Sequence, residues 1–161
     1  MYAFNFRSLL IALAVALPMA TSAPAFAASK SDLEVSSKKA LDKLVAQVPG
    51  ASALNSKAVA VLVFPTITKA GFMVGGQFGE GVLWRKGKPV GYYNTAGASY
   101  GLQAGAQQYG YAMFFMNQKA LDSLNSTDGF EVGVGPSVVV IDSGMAKNVT
   151  SGTLTEDIYA F

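Results

Sequence analysis

Hydrophobic and polar residues alternate along this chain with two different periods. Across residues 28–48, Leu33, Ala40, Leu41, Leu44, Val45 and Val48 share one face, and Lys38, Lys39 and Lys43 fall on the opposite side. That spacing, about 3.6 residues per repeat, predicts an amphipathic helix. Ser31 and Glu34 have capping-box spacing. Pro49-Gly50 predicts the end of the helix, and residues 51–58 a further short helical turn. At Val59 the period changes. Residues 59–64 form a continuous apolar run closed by Pro65, which reads as a buried strand. Residues 71–79, 81–86, 90–99, 100–108 and 111–116 read as further short strands, with Lys86-Gly87-Lys88 as a hairpin tip and Pro89 opening the return. Asn117 is placed to cap a short helix over 118–124. Strands are expected again at 130–134, 137–141 and within 153–161. The fold class is therefore α+β: an N-terminal amphipathic helix, then a curved, mainly antiparallel sheet or partly closed barrel with one short inserted helix.

Glycine sharpens this picture. Eleven of the 17 glycines lie between Gly71 and Gly110, inside strand-like sequence. Glycine weakens strands, so this density points to tight curvature or to close approach by another group. Gly101, Gln103, Gly105 and Gln107 alternate with Leu102, Ala104 and Ala106. Period-2 logic puts the glycines and glutamines on one small, polar face. That face is either a ligand groove or a product of curvature.

Composition limits the chemistry. Residues 1–27 read as a signal peptide, with Arg7, an apolar run broken by Pro18, and Ala25-Phe26-Ala27 as the cleavage site. Cleavage would leave one domain over residues 28–161 in a periplasmic or secreted location. An uncleaved anchor is the alternative. The chain has no cysteine, so an exported form has no disulfide to rely on. With Arg7 gone the net charge is +1, which favours neither nucleic acid nor a membrane in bulk. The chain also lacks histidine. That removes Ser-His-Asp and Cys-His machinery and the usual zinc ligand sets. The carboxylates are scattered, and adjacent Glu156 and Asp157 would point to opposite faces of a strand. No phosphate-loop motif is present. The expectation is a non-enzymatic protein with no metal and no cofactor.

Two basic clusters remain. One is Lys38, Lys39 and Lys43, which reads first as an ordinary solvated helix face. The other is Trp84-Arg85-Lys86-Gly87-Lys88 followed by Tyr92-Tyr93. Cations beside aromatic rings at a hairpin tip suit a lipid headgroup boundary. The alternative is a charged edge hairpin that blocks sheet-to-sheet aggregation.

An ordered series of blocks resembles the SYLF domain family. It runs Ala58-Val-Ala-Val-Leu-Val-Phe-Pro65, Ala70-Gly-Phe-Met-Val-Gly-Gly76, Gly79-Glu-Gly-Val-Leu83, Ala98-Ser-Tyr-Gly-Leu-Gln-Ala-Gly-Ala-Gln107, Asn117-Gln-Lys-Ala-Leu121 and Val132-Gly-Val-Gly135. The resemblance extends from about Leu33 to Phe161. It implies lipid binding: eukaryotic members bind phosphoinositide membranes, some fungal ones also bind actin, and bacterial members are exported lipid-binding proteins. Family members usually continue past the position of Phe161 with another Gly-rich strand segment, and often carry a Trp near Tyr92-Tyr93. Joined to the resemblance, the residues imply an anionic phospholipid partner, met by Lys38, Lys39, Lys43, Trp84, Arg85, Lys86, Lys88, Tyr92 and Tyr93, or by a groove at Gly101, Gln103 and Gly105. A small outer-membrane β-barrel and a structural or stress-related interaction protein without lipid are the competing readings.

Overall fold

A computed structural model describes residues 29–126, 135–141 and 154–161. The expected signal peptide and the strand expected at 130–134 lie outside them. Helix α1 spans Lys30–Gln47 and α2 spans Pro49–Lys57. The cap of α1 is Ser29, whose Oγ accepts from Asp32 N, in place of the expected Ser31–Glu34 box. Pro49 sits in the first turn of α2, where its missing N–H would be unpaired in any case. One residue thus separates two helices.

The strands expected as six short segments form two long ones. Strand β1 runs Ala60–Arg85 and β2 runs Lys88–Phe115, paired antiparallel from Arg85↔Lys88 to Ala60↔Phe115. Lys86 (φ 50°) and Gly87 (φ 72°) form the two-residue turn between them. Pro65 does not end a strand. It lies in an irregularity between Phe64 and Ile67, where a ladder hydrogen bond is already missing. Helix α3 (Gln118–Ser123) follows, capped by Asn117, whose side chain accepts from Ala120 N. Strands β3 (Val138–Val140) and β4 (Ile158–Ala160) complete the sheet in the order β1-β2-β4-β3. The β2–β4 pair is antiparallel and β3–β4 parallel. The described sheet is open, with β1 and β3 at its edges.

The ribbon folds back on itself. A Cβ at Gly81 would lie 2.7 Å from the Phe64 ring, and one at Gly75 would lie 2.1 Å from Ala70 O. The two arms of β1 therefore close on one another about residues 71–75, at a spacing only glycine permits. The Tyr109 hydroxyl donates to Gln77 Oε1 across the same fold, at 3.1 Å, although Tyr109 pairs with Ile67 in the ladder.

Each face of the sheet has its own core. Toward α1 and α2, Val61, Val63, Val82, Trp84, Ala112 and Phe114 pack with Leu33, Leu41 and Leu54. Toward α3, Leu62, Phe64, Leu83, Met113 and Phe115 pack with Leu121 and Leu124. The layers are helix, sheet and helix, so both faces of β1 read as apolar around residues 60–64.

Candidate functional site

The apolar stripe of α1 holds one polar residue, Ser37, which is 0% exposed. Its Oγ accepts the indole N–H of Trp84 at 2.7 Å. This bond fixes α1 on the sheet and satisfies a donor that burial would otherwise leave unpaired. Among the described residues no buried side-chain nitrogen or oxygen lacks a partner. Trp84 is accordingly a core residue at 8% exposure, and its expected place at a headgroup boundary is corrected. Ser37 was legible only as a polar position at i+4 from Leu33 and i−4 from Leu41.

The pleat divides the rest of the Trp84–Tyr93 cluster. Arg85 and Lys88 are opposite one another in the ladder and share a face. Arg85 Nη2 donates to Gln118 Oε1 of α3 at 3.2 Å. The Tyr93 hydroxyl donates to Asn125 Oδ1 just beyond α3, at 2.8 Å. Tyr92 lies on the other side. Its hydroxyl donates to the Glu34 carboxylate of α1, and Lys30 Nζ sits 5.0 Å from its ring centroid. The bond to Glu34 holds the Tyr92 phenol above its usual range, with desolvation and the Glu34 charge adding to the effect. Tyr92 thus latches the first turns of α1 onto β2. The expected single basic-aromatic edge is two surfaces facing opposite ways.

One of those surfaces joins the two basic clusters. Lys38 of α1 and Lys86 of the turn line a cleft of about 380 Å³ with Asn55, Ser56 and the Trp84 edge. Lys38 pairs with Asp42 of the same cleft, so its charge is partly offset. Lys39 and Lys43 are exposed on the same helix.

A second depression is more apolar. The C-terminal half of α1 leaves a groove of about 260 Å³ against β1 and β2. Ala40, Leu44, Val48, Val63, Ala112 and Phe161 line it, and Lys43 and Gln47 stand at its rim. Phe161 is held there by paired backbone bonds with Ala112 and an edge-on contact with Phe114, centroids 5.7 Å apart. Tyr111 also lines the groove. Burial pushes its phenol up, and nearby Tyr109 adds to that, so its hydroxyl stays neutral. The sequence reading placed lysines and apolar residues on opposite sides of this helix. The groove runs along the boundary between them.

The expected sheet groove at Gly101, Gln103 and Gly105 takes a different form. The ladder jumps from Phe72↔Ala104 to Met73↔Gly101, leaving residues 102 and 103 without partners on β1. Gly105 has φ +100°, and nothing lies within 4 Å of the position a Cβ would take. Its conformation belongs to the fold of the ribbon. Among the described residues no cluster of three or more acids could hold a metal ion, and no helix is long and apolar enough to cross a membrane.

An α+β domain whose N-terminal helix borders an apolar groove and carries a lysine face is the class that these features define. Residues 96–161 match the family model of the Ysc84 (SYLF) domain, described as Las17-binding protein actin regulator. The matched stretch covers most of β2, α3, β3 and β4, and supports the SYLF resemblance over that range. No curated protein matches the chain.

Proposed function

We propose that this protein is an exported lipid-binding domain that takes one acyl chain of an anionic phospholipid into the groove beneath α1, with the headgroup held by the lysine face. The observation that carries this reading is the groove itself: an apolar floor from Leu44, Val48, Val63, Ala112 and Phe161, with Lys43 at the mouth. Apolar walls with few convergent polar groups are the usual form of a small-molecule site. An ammonium at the rim suits a phosphate as a mobile point charge. Lys39 lies one turn from Lys43 on the exposed side of the same helix. The SYLF match agrees with a lipid- or actin-related binding family. The Leu- and Val-lined groove favours lipid over a protein filament, and the chain's reading as an exported protein points the same way.

The test combines loading and melting. Ala40→Trp should fill the half-buried lining of the groove and abolish uptake of a fluorescent single-chain phospholipid. Lys39→Gln/Lys43→Gln should leave the apolar floor intact and weaken uptake of anionic lipid by roughly thirtyfold, since each surface lysine near anionic lipid is worth about 1 kcal/mol. Thermal melts of both variants separate blocked binding from lost folding. Normal uptake by a folded Ala40→Trp protein would remove the groove from the account.

A further inference from the structure

The folded end of the β1–β2 ribbon is uncharged on both strands. No Asp, Glu, Lys or Arg occurs over residues 70–79 of β1 or 89–115 of β2. The rim is exposed and apolar: Val74 is 63% and Phe78 55% exposed. Gly76, Ala96, Gly97, Ala98 and Ala106 on the same two strands are also exposed. Exposed large apolar side chains grouped in this way mark an interaction surface.

Charge and backbone pairing point to the occupant. Leaving the fold along one arm, the first charge is Lys69, opposite Gln107, and along the other it is Glu80, opposite Asn94. Lys43 and Gln47 of α1 lie just beyond Lys69's arm, where the groove touches Gly110 and Tyr111. Tyr109, 41% exposed, stands at the same level. Behind the uncharged apolar rim this arm carries Lys69, then Tyr109, then Lys43, so cations and an interfacial aromatic stand where a bilayer places its carbonyl layer and anionic phosphates above the acyl chains. Within the ribbon the ladder runs from Ala70↔Ala106 to Gly79↔Thr95 and is broken only at residues 102 and 103, so most facing backbone groups of the two strands are already paired. Apolar surroundings penalise unpaired backbone heavily, and this pairing lowers that penalty for a shallow insertion. A second copy of the chain would match the apolar patch equally, but it would make no use of the lysines placed behind it.

We propose that the folded rim of the ribbon, presenting Val74 and Phe78, is a wedge that inserts to interfacial depth in an anionic bilayer. It brings the α1 groove to the membrane surface, and it shares with the lipid-site reading only the presence of lipid. The chain contains no cysteine, so Val74→Cys, Phe78→Cys and, on the distant α3, Lys119→Cys can each carry a single environment-sensitive fluorophore. The vesicles are phosphatidylcholine and phosphatidylglycerol in equal amounts, with and without acyl-chain nitroxide quenchers. The expected result is blue-shifted emission and about twofold or greater quenching at 74 and 78, with neither at 119. Val74→Asp/Phe78→Asp should then lower vesicle affinity roughly tenfold or more. Both side chains are exposed, so melting should be unchanged and uptake of monomeric fluorescent phospholipid retained. Co-sedimentation without quenching at 74 and 78 would overturn the wedge and leave the groove reading intact. A blue shift that grows with protein concentration in the absence of vesicles would overturn it in favour of self-association. Failure to bind any vesicle while monomeric lipid still loads would also overturn the wedge alone. Failure of both would remove the lipid reading as well.

Discussion

Ser37 and Trp84 form a pair whose energetics can be separated. Ser37→Ala leaves the indole N–H buried without its acceptor, and should destabilise the protein by about 1–3 kcal/mol. In a Trp84→Phe background the donor is gone, so the same serine change should be nearly neutral. A double-mutant cycle by denaturant unfolding measures the difference, and additive effects would show that the bond contributes nothing. Gly105 makes the complementary case. Space is available for a side chain there, but φ is +100°, so Gly105→Val should cost about 1–2 kcal/mol through the backbone. Any loss of lipid uptake in that variant should track its unfolding. The role of Ser37 was not readable in the sequence, whereas backbone geometry was one of the two readings the sequence left open for Gly105. Ser37 looked like one more polar helix residue, and the alternation of Gly101, Gln103, Gly105 and Gln107 suggested a regular face that the irregular ladder interrupts.

Helices were more legible than strands. Leu33, Leu41, Leu44 and Val48 repeat with the helical period, and α1 and α3 fall within two residues of their expected bounds. The capping residue of α3 was also correct, because Asn at that position has a local role that tertiary context rarely changes. The turn at Lys86-Gly87 was likewise local. The continuity of β1 and β2 was hidden, since Pro65 and the frequent glycines look like strand ends. Their positions answer to the fold-back of the ribbon, a non-local event that no window of sequence reports. Asp157 shows how distant elements are tied together. Its carboxylate accepts from Asn117 Nδ2 at 2.7 Å and from Ser137 N and Oγ at 3.1 Å, joining the cap of α3 to the entries of β3 and β4. The Asn117 bond foremost, then those from Ser137, holds the carboxyl below its ordinary 3.8. This contribution is fully present above the unfolded value and is lost as pH falls through the lower folded one. Asp157→Asn should therefore reduce the acid sensitivity of unfolding below pH 3.8, measured as the midpoint of an acid titration by circular dichroism. An unchanged midpoint would show that other carboxylates govern acid unfolding.

At the scale of the molecule, the two-sided sheet decides which cations can act together. Lys38, Lys39, Lys43 and Lys86 gather on the α1 side, whereas Arg85 and Lys88 face α3. Lys38→Gln/Lys39→Gln/Lys43→Gln should weaken binding to anionic vesicles by roughly two orders of magnitude at low salt. Arg85→Ala/Lys88→Ala should change it by less than about threefold, and the whole difference should shrink as ionic strength rises. Equal losses in the two variants would mean that the protein approaches the membrane edge-on. The sequence could supply the charges and the aromatic residues, and it placed them together because they are neighbours along the chain. The pleat, with a period of two, sent half of them to each side.

Trp84 is the chain's lone tryptophan, and it sits under α1 with its nitrogen bonded to that helix. The protein therefore contains an intrinsic optical gauge of one event, the lifting of α1 from the sheet. While the helix is seated, emission should be that of a shielded indole. If lipid enters the groove without displacing the helix, the spectrum should hold steady. If entry requires the helix to swing away, water reaches the ring and emission moves to longer wavelength. A stopped-flow trace on the unlabelled protein would distinguish a fixed receptacle from a hinged one.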